Sequence, residues 1–459
     1  MEQVAANECV FVGEGNAHVV VRNGDKVLKL KKRHESFDRE IRYISDVIDP
    51  LLSASYRSLG GRQLVMLTRN FIRSLNEEIW SHRPASRRDT AVIDINNEYG
   101  MEENDATRMI RWFPNSNNVA LEIKVKCGLK CSSPFYYNYG NNNDRLFKLQ
   151  FSRYELKQIY KTKTSNGSFT PRTSDYNPCD LCSMNSVKVA TSLTNLYDCP
   201  QNNFKVISSD RGVLRDGAGT NEIELSNHLI EYFGSSCVAE GLIPVVSTIF
   251  SRESILAEVQ QLQGLDVLDV EGVSLVYAML LSTLGSQTAV LEKIHAYTLP
   301  TADILSIMKR NVSDPASHVK LFLALKSLQA ASSDSEETIA SRYHQALHLL
   351  HAASVDDCIF LIHLYLFALT MKDASIIIAF TVKEHQHTPG FELLESCHVH
   401  TTQSYSDAGV VTVRTGQGMM DLHYRITLCD IGPKPISKII NKQDDERKMC
   451  HLIYSSVAL

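Results

Sequence analysis

No apolar run in this chain is long enough to cross a bilayer. The longest, Ile359 to Thr370, is broken by His363 and falls well short of the ~20 residues a spanning helix needs. The start, Met1-Glu2-Gln3-Val4, lacks the basic residues and apolar centre of a secretory leader. Strong net charge is missing too. Lys and Arg total 47 against 52 Asp and Glu, a formal charge of -5, so any polyanion site must be a local cluster rather than a basic protein. There are no aromatic stacking platforms and no recognised reader motif, so no nucleic-acid partner is expected. No internal repeat or extended low-complexity tract is present. A His-Arg-Asp loop followed by Asp-Phe-Gly is also absent, which sets protein kinases aside.

What remains is an ordinary globular composition, 44% hydrophobic and 22% charged, over 459 residues. That length buries two cores more readily than one. Eleven cysteines, an odd number scattered along the chain, suit reduced thiols rather than a disulfide scaffold. A cytoplasmic and/or nuclear protein is expected, with the sequons at Asn166 and Asn311 as chance matches.

Val10 to Lys32 reads as three short strands, with a turn at Gly13-Glu14-Gly15 and a hairpin at Asn23-Gly24. Helices are expected over 36–47 and 70–81. A polar, arginine-rich excursion covers 82–117, and a strand covers Val119 to Val125. From Leu146 onward the pattern is helical up to residue 371. Strands at Ser375 to Val382, Val410 to Val413 and Tyr424 to Cys429 follow. The fold class expected is α+β: a small strand-rich lobe, 1–131, and a larger, mostly helical one, 132–459.

Glycines beside a strand let backbone amides approach phosphate. Gly13-Glu14-Gly15 has that form, and Lys29 lies on the strand after the hairpin, among Val27, Leu28 and Leu30. Taken singly these are also the marks of a plain turn and an exposed strand lysine. Asp373 lies between a long apolar helix and Ile376-Ile377-Ile378. Asp430 closes a strand whose Tyr424, Ile426 and Leu428 share a face. One acid so placed can take a hydroxyl proton, and a second can hold magnesium against phosphates. The bland reading of both is a cap or turn residue. The order of glycine turn, lysine strand and late carboxylates suits an ATP-dependent phosphotransferase.

Several cationic clusters accompany these acids. Lys124 and Lys126 alternate on one strand. Arg153, Lys157 and Lys161 recur every four residues, as do Lys434 and Lys438, and Arg83, Arg87 and Arg88 cluster in the excursion. Each alone is most simply a solvated face; together, in a net acidic chain, they favour an anionic ligand. Asn202 and Asn203 supply neutral donors or shape a turn.

These segments resemble the inositol-pentakisphosphate 2-kinase family in order from Gly13 to Lys438. Gly13-Glu14-Gly15-Asn16-Ala17-His18 is similar to its GEGNAN loop, and Glu122 through Gly128 to its EIKPKCG signature. Ser152-Arg153-Tyr154 through Lys161 is similar to its helix motif, and Pro200-Gln201-Asn202-Asn203-Phe204 to its QNN segment. Leu268 through Gly272, Thr370 through Ser375, and Asp430 through Pro435 resemble LDIEG, TAKDCS and DLDLKP. The resemblance implies a two-lobed kinase-like fold with an inositol-phosphate-binding region, and transfer from ATP with Mg2+ to the 2-hydroxyl of inositol 1,3,4,5,6-pentakisphosphate. It implies Asp373 and Lys124 as catalytic residues. It implies Gly13, Glu14, Gly15, Asn16, Lys29, Glu122 and Asp430 as the nucleotide set, with Asp373 and Asp430 as the magnesium ligands. The substrate phosphates would fall to Arg87, Lys126, Arg153, Lys161, Asn202, Asn203, Lys434 and Lys438. A monomer is expected. The rival reading is an inositol-polyphosphate-binding module without catalysis.

The chain departs from the family pattern at Lys157, where the motif has histidine, and at Lys438, where it has arginine. Val125 stands for proline and removes a backbone constraint between the two lysines. Cys179-Asp180-Leu181-Cys182 has zinc-knuckle spacing, with buried small hydrophobes as the competing reading. His385, His387, His398 and His400 would form a site only if their loops converged.

Overall fold

The structure, a computed structural model, describes residues 6–15, 17–88, 92–109, 113, 118–138, 148–164, 174–209, 212–215, 222–233, 236–311, 313–331, 333–382, 408–415, 418–439, 445–446 and 448–449. Asn16 and the four histidines between 385 and 400 lie outside the described residues. The class is α+β, as the sequence implied: two antiparallel sheets and a set of helices.

Contacts divide the chain into two compact units. The first comprises Met1–Ile123, Gln201–Val245 and Ser375–Cys429; the second comprises Lys124–Pro200, Val246–Ala374 and Asp430–Leu459. This division interleaves the chain. It differs in kind from the cut after residue 131, which marks where the local pattern changes from strand-rich to helix-rich.

The first unit holds both sheets. The five-stranded sheet runs in the order β1 (Val10–Glu14), β2 (His18–Asn23), β3 (Lys26–Lys31), β5 (Tyr99–Asn104), β4 (Arg62–Met66). Val19, Val21, Leu28 and Leu30 turn inward from β2 and β3 and pack with Ile72, Leu75 and Ile79 of the Arg69–Ile79 helix. That helix shows three apolar residues at helical spacing and is capped by Thr68, whose side chain accepts from the Phe71 N–H. β4 and β5 were not legible in the sequence. β5 reads Tyr-Gly-Met-Glu-Glu-Asn, and its acids are matched across the sheet by cations. Glu103 meets Lys29 at 2.5 Å and Arg62 at 3.0 Å, so the strand looks polar although Glu103 is buried.

The second sheet is ordered β10 (Gly409–Thr415), β11 (Gly418–Cys429), β9 (Ser375–Val382), β6 (Val119–Lys124), β7 (Phe204–Ser208), β8 (Gly212–Arg215). β6 and β9 are buried along nearly their whole length, the pattern of central strands covered on both faces.

The second unit is helical. Its centre is the Val355–Met371 helix, buried almost all round and started by a capping box between Ser354 and Asp357. An apolar surface on every side of a helix requires neighbours on every side. The Asp269–Leu284, Ile255–Gln263 and Ser317–Ser327 helices supply them. Among the described residues no single helix is long and apolar enough to cross a membrane. One pair bent by 110°, Asp269–Leu284 with Gln287–Ala296, is so only when taken together.

Candidate active site

In the second unit, two acids stand at element ends where the chain must leave a buried core. The Val355–Met371 helix ends at Met371, Lys372 caps it, and the Asp373 N–H donates to the Thr370 carbonyl at 3.0 Å. Lys372 turns inward to Asp266 at 2.7 Å. Its own burial disfavours the charge, but Asp266 outweighs that and holds the ammonium above its ordinary pKa. Asp373, the next residue, keeps a side chain that is 50% exposed. Asp430 follows β11 with φ 58, a left-handed backbone that ends the strand sharply, and its side chain is 51% exposed.

Each acid faces a lysine. Lys434 Nζ is 3.0 Å from Asp373 Oδ2, and Lys124 Nζ is 3.6 Å from Asp430 Oδ2. The Thr370 hydroxyl donates to the Gly432 carbonyl at 3.2 Å, joining the helix end to the loop that carries Asp430 and Lys434. Lys126 is close enough to feel Asp373, Lys124 and Lys434. Burial lowers its pKa first; Asp373 opposes that, while Lys124, Lys157 and Lys434 lower it further. The structure therefore brings Lys124, Lys126, Lys434, Asp373 and Asp430 into one cluster, with Lys157 near enough to act on it.

The turn bearing Lys126 is tightly held. Lys126 has φ 61, rare for a side chain of its size. The carbonyl of Val125, the residue in the proline position, accepts from the buried Tyr176 hydroxyl at 2.6 Å. A Cβ on Gly128 would lie 2.5 Å from Cys182 Sγ, so packing demands glycine there. The tyrosine supplies some of the restraint that proline would have given.

Arg153 opens the Arg153–Thr164 helix and pairs with Glu446 at 2.5 Å. Burial works against its charge and Glu446 outweighs it, raising its pKa. Lys161 lies farther along the same helix and is exposed, as is Lys438. Burial and then Lys157 lower the pKa of Lys161.

In the first unit, Gly13 and Glu14 end β1, paired with Val20 and Val19 of β2, and Gly15 opens the turn, closed by a Gly15 N–H to His18 carbonyl bond of 2.9 Å. The Glu14 side chain points inward. Its carboxylate is 1% exposed and meets Lys32 and, at 2.7 Å, Arg83. Burial alone raises this acid; the hydrogen bonds from Arg83 and Lys32 outweigh it and hold the pKa below the ordinary value. Arg87 donates to the Glu14 carbonyl at 3.0 Å. The arginine-rich excursion thus fastens the glycine turn, a role the sequence did not disclose, because arginine clusters look alike whether they bind protein or ligand.

Lys29, on β3, is paired with Glu103. Glu122, on β6, accepts from Lys205 at 2.7 Å and from the Ser375 hydroxyl at 3.1 Å. Asn202 and Asn203 lie in the turn before β7, with φ 49 at Gln201 and with Asn203 buried.

Among the described residues no group of three or more His, Cys, Asp or Glu side chains is arranged to hold a metal ion. Cys179 and Cys182 carry thiols that burial, above all, pushes up to about 12.

Two half-exposed carboxylates each face a lysine, with further lysines around them, an arrangement whose charges can meet phosphate and a hard cation. The profile of the inositol-pentakisphosphate 2-kinase family matches residues 11–448. The chain is 25% identical over 352 residues to the inositol-pentakisphosphate 2-kinase of Arabidopsis thaliana, covering 74% of this chain and 64% of that protein. It is 24% identical over 308 residues to one from Oryza sativa subsp. indica, covering 64% and 67%, and 26% identical over 257 residues to one from Danio rerio, covering 51% and 50%. The chain belongs to the inositol-pentakisphosphate 2-kinase family. It spans about two thirds of the plant relatives' length and half of the zebrafish one.

Proposed function

We propose that this chain transfers the γ-phosphoryl group of ATP to the 2-hydroxyl of inositol 1,3,4,5,6-pentakisphosphate, giving the hexakisphosphate and ADP. The observation that carries the reading is the pairing of Asp373 with Lys434 and of Asp430 with Lys124 around Lys126. Each substrate phosphate carries about -1.5 to -2 charges near neutral pH. Lysines gathered locally meet that charge within a chain of net charge -5.

Asp373 orients the 2-hydroxyl and accepts its proton as the oxygen attacks phosphorus. Lys434 keeps a positive charge beside that carboxylate, and Lys124 offsets negative charge growing on the transferred group. Asp430, with Asp373, is the donor set for magnesium. Two half-exposed carboxylates suit a hard cation that binds through one or two carboxylates and otherwise to phosphates and water. Magnesium, when bound, supplies charge neutralisation at the nucleotide phosphates. Lys126, Lys161, Lys434 and Lys438 take substrate phosphates.

Gly13 and Gly15 offer a separate argument for nucleotide binding. Among the described residues a Cβ at either would meet no atom within 4 Å, and neither adopts a left-handed φ. Neither packing nor backbone conformation within the protein calls for glycine there, whereas close approach of phosphate does. Lys29 and Glu122 join this nucleotide set. The non-catalytic binding module is the second reading, and the placement of both carboxylates at exposed element ends argues against it.

The test is to incubate the protein with Mg-ATP and inositol 1,3,4,5,6-pentakisphosphate and resolve the products by anion exchange. Hexakisphosphate from the wild type, absent with Asp373→Asn, is the expected result. Substrate binding without any product would favour the binding module.

A further inference from the structure

The turn carrying Lys126 and the helix end carrying Asp373 share one side chain. Gln263, the last residue of the Ile255–Gln263 helix, is 1% exposed. Its Nε2 donates to the Lys126 carbonyl at 2.7 Å and to the Met371 carbonyl at 3.2 Å, and its Oε1 accepts from the Gly128 N–H at 2.8 Å. Both amide donors and one acceptor position are thereby used on main-chain groups of two segments that never meet in sequence. The Lys126 carbonyl belongs to a residue with φ 61, a backbone state that persists only where its surroundings hold it. Met371 lies two residues before Asp373 in a turn already closed by the Asp373 N–H.

We propose that Gln263 is a positioning residue for phosphoryl transfer, clamping the main chain at Lys126 to the main chain at Met371, two residues before Asp373, while touching neither reactant. This role rests on the phosphotransferase reading above. Its helix neighbours do not span the two segments in this way. Gln260 donates to the Gly128 carbonyl at 3.0 Å, on the turn side, and Gln261 donates to the Met308 carbonyl at 2.8 Å. An amide is the side chain that suits the position. It presents donors to two carbonyls and an acceptor to an N–H without placing a charge in a buried site. Placement errors of about 1 Å in a phosphotransfer site cost on the order of a hundredfold in rate.

The test compares three variants of the full chain. Gln263→Met keeps the length of the side chain and removes all three bonds. Gln263→Glu keeps an acceptor for Gly128 and loses the donor to both carbonyls. Gln261→Met alters the same helix away from the clamp. Each is measured by steady-state kinetics, by thermal melting and by hydrogen exchange over 124–129 and 371–374. In both Gln263 variants kcat should fall about 10- to 100-fold, with KM for ATP unchanged within about twofold. Exchange should quicken in both segments well below the melting temperature, and Gln261→Met should leave both readouts at wild-type values. Should Gln263→Met not fold, the Glu variant, which keeps one bond, carries the comparison. A folded Gln263 variant that melts earlier yet keeps the wild-type kcat would overturn the positioning role. A wild-type chain that makes no hexakisphosphate would overturn the functional reading and this role with it, so the two failures are distinct.

Discussion

Lys434 Nζ lies 3.0 Å from Asp373 Oδ2, and the pair joins the residue after the cap of a buried helix to the loop after β11. A lysine at this distance can do two things for a phosphotransferase. It holds the neighbouring carboxylate in place by a charged contact, and it leaves donors for a substrate phosphate. Asp373→Asn and Lys434→Met should therefore fail differently. The Asn variant should lose about 10²- to 10⁴-fold in kcat with little change in substrate affinity. The Met variant should lower kcat and also raise KM for the pentakisphosphate. Equal kinetic signatures for both would mean that the pair acts only as a structural tie.

Lys126 gives a pH prediction with a fixed sign. Its pKa in the folded chain lies below the ordinary 10.5, through burial first and then neighbouring lysines. As pH rises the folded chain releases this proton before the unfolded chain does, so stability gains between the lowered value and 10.5. Affinity for a polyphosphate moves the other way, because binding needs the charged form. Lys126→Arg, charged at every accessible pH, should remove part of the alkaline loss of affinity. Titration calorimetry from neutral to alkaline pH checks this. Parallel pH slopes for wild type and variant would exclude Lys126 as the titrating group.

The sequence made some of these relationships readable and hid others for physical reasons. Strands β1 to β3 carry alternating apolar residues and an Asn23-Gly24 turn, so local pattern suffices to place them. β5 hides because Glu103 is buried against Lys29 and Arg62; one strand alone cannot show that its charges are matched by another. Asp373 and Asp430 were visible because each follows a strongly apolar segment. Their partners, Lys434 and Lys124, were visible only as members of cationic clusters, since each pairing joins segments far apart in the chain. Glu14 appears as part of a ligand loop in sequence, but its carboxylate is buried with Arg83. Arg153 likewise reads as a phosphate ligand, and the structure pairs it with Glu446.

The Arg83–Glu14 pair sets the next expectation. Arg83 is 2% exposed and reaches both carboxylate oxygens, at 3.2 and 2.7 Å. Removing the arginine leaves a buried charge with less compensation, and losses of about 3–5 kcal/mol follow from breaking such pairs. Arg83→Met should destabilise the first unit on that scale and raise KM for ATP, because the glycine turn loses its anchor. Adding Glu14→Gln should recover part of the stability, since no charge is then stranded. Denaturant melts of the two single variants and the double variant measure the coupling. Strict additivity would show that the contact contributes little.

Glu271 supplies the second pH test, independent of catalysis. It sits with Lys148 at 2.5 Å, and Lys148 also meets Asp269 at 3.4 Å and Glu446 at 2.9 Å. Burial is the main reason its pKa is pushed up from 4.5 to about 7; Lys148 opposes the rise, while Asp269 and Glu446 add to it. Three carboxylates gather around one ammonium, with Arg153 on Glu446, so neighbouring negative charge adds to the effect of burial on Glu271. A raised acid pKa stabilises the fold fully below the unfolded value and loses that contribution as pH rises toward about 7. Glu271→Gln, neutral at every pH and of nearly the same shape, should remove this decline. The wild type should lose on the order of 1–3 kcal/mol relative to the variant across that window. Chemical denaturation at a series of pH values reads the difference directly. A constant difference between the two proteins would mean that Glu271 stays ionised throughout, with Lys148 outweighing the cost of its burial.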